Sequence, residues 1–193
     1  GRYKIQHGMS QSAVLRLLIN GSQDPVKLVI NKFRTKEDFA RFAGRQLESD
    51  SLHIMQFLQS PDSLKRFGVD TNTAITLIIP NTYTFFWNTN ASKLFKKLHS
   101  EKEIFWNPER LNKAVQLGLT AEEVYTLASI IEEETNKNDE KPVIASVYLN
   151  RLKKGMTLSA DPTVKFALRD FGLKRIRFKH MDAVASSPFN TYK

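Results

Sequence analysis

Between Thr120 and Thr135 the chain carries a helix-start signal, an apolar repeat and three consecutive acids, and this stretch limits the fold more than any other. Thr120-Ala121-Glu122-Glu123 is a capping box, in which a threonine hydroxyl and a glutamate three residues on satisfy each other's backbone N–H groups. At about 100° per residue, Val124, Leu127, Ala128 and Ile131 share one stripe, which Thr135 continues. Such a stripe has to be buried, so this helix belongs to a packed domain. Its far end is unusual: Glu132, Glu133 and Glu134 stand where the helix dipole disfavours negative charge. The periodicity points Glu133 to solvent and sets Glu132 and Glu134 on opposite margins of the stripe. A carboxyl against an apolar wall loses solvation of its charged form, which suits a general acid. The alternative is an exposed acidic helix end, and periodicity alone leaves both open.

The rest of the chain bounds the class of protein. Its 193 residues and 41% hydrophobic content allow one sizeable domain or two small ones. No apolar run approaches the roughly 18–20 residues a membrane helix needs. Nor does the start read as a signal peptide; we expect the chain to be an excised piece of a longer protein. Cysteine is absent, which excludes disulfides and thiolate metal sites. The histidines, His7, His53, His99 and His180, are too dispersed for a metal-ligand spacing, so neither a metal nor a cofactor is expected. A net charge of +9 suits an anionic partner or a solubility surplus. The lysines are scattered and nucleic-acid motifs are missing, so nucleic acid is not expected.

The element pattern predicts an α+β chain. Tyr3–Gln6 alternates like a short strand, and Ser10 caps a helix with Val14, Leu17 and Leu18 on one face. Residues 26–30 read as a strand. Thr35 opens a helix with Phe39, Phe42, Ala43 and Leu47 inward, a second helical run carries Leu52, Met55, Phe57 and Leu58, and Ala74–Ile79 reads as a strand ended by Pro80. This strand-helix-helix-strand order is that of a LysM carbohydrate-binding module. Asn81–Trp87 is an aromatic patch, either a joint between subdomains or a stacking surface for sugar rings. Residues 1–88 are thus expected to form a small LysM-like region and 89–193 a mostly helical domain. In that domain Lys141-Pro142 starts a helix through Tyr148 and Leu152 toward Gly155, and Asp161-Pro162 is a cap with a first-turn proline.

Four ordered motifs give the second half a family likeness. Leu127–Thr135 resembles the "LASI(V/I)E-x-ET" motif of the YceG-like endolytic murein transglycosylases (the MltG family). Val143–Leu152 is similar to that family's "VA-V-x-NRL" helix. Gly155-Met156 with Leu158 and Asp161–Val164 resembles "GM-L-x-DPTV", and Ser187–Tyr192 resembles "S-P-[YF]-NTY". The likeness covers about residues 120–193. Pro80–Tyr83 resembles "PDTY", except that Asn81 replaces the acid.

The resemblance implies an enzyme acting on peptidoglycan glycan strands, with peptidoglycan synthases as partners. It also implies the bacterial inner membrane as location, the catalytic part facing the periplasm and held by an anchor absent from this chain. It makes Glu132 the acid/base that protonates the oxygen leaving N-acetylmuramic acid and then takes the proton of that sugar's 6-hydroxyl, leaving a 1,6-anhydro end. One carboxylate suffices when the nucleophile belongs to the substrate. Glu134, Asn150, Arg151, Asp161, Asn190, Thr191 and Tyr192 are the expected substrate-binding residues. Each also has a plainer role open to it: Arg151 as a helix-end ion pair, Asp161 as a cap, Asn190 as a turn residue. Two alternatives stand beside the transglycosylase: a hydrolytic muramidase, for which Asp161 is the one candidate second carboxylate, and a non-catalytic glycan-binding module.

Overall fold

Val26, Leu28 and Ile30 are buried while Pro25, Lys27 and Val29 are exposed, the alternation of a strand with one wet face. This strand, β1 (Pro25–Ile30), pairs antiparallel with β2 (Asn81–Phe86) in the register Pro25↔Phe86 to Ile30↔Asn81. Tyr83 and Phe85 therefore stand opposite Leu28 and Val26 on the buried face. The computed structural model describes residues 1–193, with ten α-helices, one 3-10 turn and this two-stranded sheet. The architecture is α+β, as the element pattern predicts. The chain divides into two compact units, Gly1–Asn107 and Pro108–Lys193.

In the first unit, helices α2 (Lys36–Gln46), α3 (Ser51–Gln59), α4 (Pro61–Lys65) and α5 (Ala91–Phe105) join the sheet around one core. Phe39, Ile54, Leu58 and Phe95 are fully buried there, and the Phe57 and Phe95 rings stack at 4.7 Å. Thr35 caps α2 through its hydroxyl, which accepts from Asp38 N at 3.1 Å. Of the inward set expected for this helix, Phe39, Ala43 and Leu47 are buried and Phe42 packs against the core from its edge. On α3, Ile54 and Leu58 are buried but Leu52 is exposed. The two helices approach so closely at Gly44 that a Cβ there would lie 2.4 Å from Ser51 N.

Three expectations change in this unit. The expected strand Ala74–Ile79 is a 3-10 turn, Ala74–Leu77, and the strand that pairs with β1 is the aromatic patch itself. The reason is burial: Ala74, Thr76, Leu77, Ile78 and Ile79 are all buried, so the period-two alternation of a half-exposed strand is missing. Asp70 Oδ1 accepts from Asn72 N, Thr73 N and Thr73 Oγ1, which folds the chain into a turn just before this run. Tyr3–Gln6 is irregular, and α1 (Gln11–Ile19), although capped by Ser10 as expected, buries none of its residues. Finally, a boundary at residue 88 falls inside the compact unit, because Leu94, Phe95 and Leu98 of α5 are fully buried in its core.

The second unit is helical: α6 (Pro108–Gln116), α7 (Ala121–Glu134), α8 (Lys141–Lys153), α9 (Asp161–Leu168) and α10 (Phe178–Ala183). The capping box forms, with Glu123 N donating to Thr120 Oγ1 at 3.2 Å and Thr120 N to Glu123 Oε2 at 2.8 Å. The buried face of α7 is Leu127, Ile130 and Ile131, packed with Tyr148 and Ala160. It is thus rotated from the expected stripe: Ile130 is buried and Ala128 exposed, since a larger apolar side chain gains more from burial than a methyl group. Val164, Ile176 and Val184 form a smaller second cluster. No helix of this chain is long and apolar enough to cross a membrane.

The Gly44 contact gives a stability test. Alanine has the better helix propensity, but here its methyl group meets backbone, which cannot swing aside. Gly44→Ala is expected to destabilise the first unit by about 1–3 kcal/mol, the usual cost of overpacking. A lowered urea midpoint by circular dichroism would show it. Gly172→Ala, where the nearest atom is a side-chain oxygen at 3.4 Å, is the control and should leave the midpoint close to wild type.

Candidate active site

The three acids close α7 beside the face that α8 turns toward it. Lys141 Nζ donates to Glu132 Oε2 at 2.5 Å, and the Tyr148 hydroxyl donates to Glu134 Oε1 at 2.6 Å. Lys141 and Tyr148 are seven residues apart, about two helical turns, so they lie on one face of α8. One helix thus supplies an ammonium to the first acid and a phenol to the third. The apolar wall expected around Glu132 is replaced by this cation, and the Glu132 side chain is 47% exposed. Glu133, expected to be the solvent-facing member, is half-buried and engaged with neighbouring groups.

A second set of contacts fastens the C-terminal stretch to the start of α9. Ser159 N donates to Thr191 O at 2.8 Å, Ala160 N to Thr191 Oγ1 at 3.0 Å, and the Thr163 and Thr191 hydroxyls bond at 2.9 Å. The Tyr192 hydroxyl donates to Asp161 Oδ1 at 2.5 Å. Asp161 is therefore not the cap of α9 but its first residue, and the cap position is Ala160, without a side-chain bond. Asn190 is buried: Nδ2 donates to Val184 O at 3.2 Å and Oδ1 accepts from Tyr192 N at 3.0 Å. Asn190 thus spends its polar groups on shaping its own turn, and Thr191 spends its on the start of α9.

Arg151 links the two sets without pairing with an acid. Its Nε donates to Thr157 O at 2.7 Å and its Nη2 to Ser159 Oγ at 3.1 Å. Ser159 adopts a left-handed backbone, φ +54°, uncommon outside glycine and here held by the Arg151 and Thr191 contacts. Asn150 departs from the group. It is exposed and shares the opposite face of α8 with Val143 and Val147, at spacings of four and three residues. The structure therefore brings Glu134, Tyr148, Arg151, Asp161 and Tyr192 into one neighbourhood, with Glu132 and Lys141 at the adjoining end of α7, and leaves Asn150 outside.

The electrostatics follow the same grouping. Burial pushes the Tyr192 phenol up to about 12, helped by its bond to Asp161 and the charge of Glu134, while Arg151 acts the other way. Burial also raises the Tyr148 phenol, reinforced by its bond to Glu134. Both phenols stay protonated donors near neutrality and hold their carboxylates in place. No cluster of three or more His, Asp or Glu side chains is placed to hold a metal ion. Lys141, Tyr148 and Ser159 were not among the residues the sequence singled out. The seven-residue spacing of Lys141 and Tyr148 was readable, but nothing in the chain tells which acids that face would meet.

The model of the YceG-like family matches residues 1–193. The chain is 37% identical over 100 residues to an endolytic murein transglycosylase of Bacillus subtilis (strain 168), covering 52% of this chain and 26% of that protein. It is 27% identical over 222 residues to an endolytic murein transglycosylase of Streptococcus pneumoniae serotype 2, covering the whole chain and 40% of that protein. It thus spans less than half the length of the curated relatives it matches. A crystal structure of a yceG-like protein from Listeria monocytogenes shares the fold with a TM-score of 0.74 at 24% identity, covering 99% of this chain and 67% of that one.

The burial of the Tyr192 phenol, with its bond to Asp161, predicts an alkaline dependence. The folded state keeps the phenol proton up to about 12, against an ordinary 10.0, so this contribution to stability is whole below about pH 10 and is lost as pH rises through about 12. Tyr192→Phe should flatten the fall in stability across that window without abolishing it, because Tyr83, raised to about 12 in the first unit, titrates there too. Tyrosinate absorbance should lose one ionisation near pH 12. Loss of one near pH 10 would contradict the described contact.

Proposed function

This chain belongs to the YceG-like family, and from that premise we propose that it is the catalytic part of an endolytic lytic transglycosylase cutting peptidoglycan glycan strands. Glu132 is its acid/base. The protonated carboxyl gives its proton to the glycosidic oxygen leaving C1 of N-acetylmuramic acid. The resulting carboxylate accepts the proton of that sugar's 6-hydroxyl as O6 closes on C1. The glycosidic bond breaks, the O6–C1 bond forms, and the acid is restored with no water consumed.

The observation that carries this reading is the division of labour at the end of α7. Glu134 accepts from a phenol that stays protonated, whereas Glu132 is bonded to the Lys141 ammonium with its own side chain 47% exposed. A carboxylate that must exchange protons with a ligand has to be reachable and releasable. The hydrolytic reading has less support: its one candidate second carboxylate, Asp161, is taken up by Tyr192. The first unit is read as LysM-like, since its two strands bracket the packed helices α2 and α3, followed by the short α4 and a 3-10 turn, and Phe86 is exposed on the wet face of the sheet. Glycan contact there, an inner-membrane site facing the periplasm, and synthase partners belong to the same reading.

Mass spectrometry of digested glycan strands tests it, because anhydro-ended products are lighter by one water than hydrolytic ones. Wild type is expected to release anhydro ends. Glu132→Gln should reduce their release by about 10²–10⁴-fold, the usual contribution of a general acid–base group. Reducing ends from wild type would favour the muramidase. Anhydro ends from Glu132→Gln at the wild-type rate would remove Glu132 from the chemistry.

A further inference from the structure

We propose that Lys141 is a positioning residue for this reaction, holding the Glu132 carboxylate in one orientation and stabilising the negative charge that grows there as the acid releases its proton. The inference rests on the transglycosylase reading and on four features of the α7–α8 junction. The contact is direct, with Lys141 Nζ 2.5 Å from Glu132 Oε2. The lysine side chain is 25% exposed against 47% for the acid, so the cation is the more covered partner while the acid stays reachable.

The placement is also against the local trend for both partners. Acids at a helix C-terminus and a cation at a helix N-terminus are each disfavoured by the dipole. Glu132 lies in the last turn of α7 and Lys141 in the first turn of α8, and the two compensate each other across the connection. That connection is fixed by its own bonds. The Thr135 hydroxyl donates to Glu140 Oε2 at 2.7 Å, and Lys137 Nζ donates to Glu140 Oε1 at 2.7 Å. Lys137 first and Thr135 second hold the Glu140 carboxyl below the usual carboxylate range. Glu140, the acid next to Lys141 in the chain, is thereby occupied by other partners and leaves the ammonium to Glu132. An ordinary surface ion pair has no such arrangement around it.

Charge stabilisation in the transition state acts on turnover rather than on substrate affinity. In the full-length protein, Lys141→Met is expected to lower kcat for anhydro-end release by about tenfold to a hundredfold with KM within about twofold of wild type. Lys141→Arg, which keeps the positive charge, should recover kcat to within about threefold. Lys141→Gln is the second neutral variant, and thermal melts select the neutral variant that is folded at the assay temperature. Glu132→Gln runs alongside: if wild type releases no anhydro ends, the functional reading itself falls. If wild type does and Glu132→Gln does not, the lysine variants decide alone. A folded neutral variant with kcat within about twofold of wild type would overturn the proposal. So would a rise in KM at unchanged kcat, which would place Lys141 on the glycan, or an arginine variant as slow as the neutral ones.

Discussion

The end of α7 against one face of α8 is the contact on which the second unit's site depends. Three carboxylates at a helix C-terminus repel one another and oppose the dipole, a cost that partners at this helix end offset. Lys141 and Tyr148 supply them from positions two turns apart, one by charge and one by a hydrogen bond. The two bonds differ in what they permit. A phenol with a raised ionisation point is a durable donor, and Tyr148 fixes Glu134. Lys141 reaches Glu132 as a charge from the first turn of α8.

Behind this contact stands a set of anchors that are structural rather than chemical. Thr191 bonds to Ser159, Ala160 and Thr163, Asn190 closes its own turn, and Tyr192 reaches Asp161. Thr191 and Tyr192 are thus tied to the beginning of α9, where Arg151 also arrives through Ser159. Residues that a motif groups together divide into those that build the platform and those exposed on it. In the first unit the dependence is apolar: alternating residues of β1 and β2 and the faces of α2, α3 and α5 share one core. Lys97 covers the edge of β2 by donating to Thr84 O at 2.9 Å, a common way to keep a strand edge from pairing elsewhere.

Local signals were legible in proportion to how local their physics is. The Thr35 and Thr120 caps are bonds across three residues, and both form as read. The alternation of residues 26–30 needed only one wet face and one dry face. The run 74–79 failed because burial on all sides removes the alternation, and a fully buried turn and a fully buried strand then have the same composition. On α7 a period of 3.6 residues fixes the spacing of the stripe but not its centre. Ala128 and Ile130 lie on opposite flanks of Leu127, and the neighbours of the helix cover the isoleucine side. The solvent-facing assignment of Glu133 shifted with that rotation.

What the chain determined by itself is the α+β class, most helix starts, and the motif order that marks the family, because these rest on short-range bonds and on the identity of residues. Tertiary structure alone decided which partner each acid receives. Glu132 meets Lys141, Glu134 meets Tyr148 and Asp161 meets Tyr192, across separations of 9, 14 and 31 residues. It also decided that Asn150, one residue before Arg151, faces away. Contacts of this kind depend on the angle and rotation at which two helices pack, and those are set by the whole buried surface rather than by any stretch of sequence.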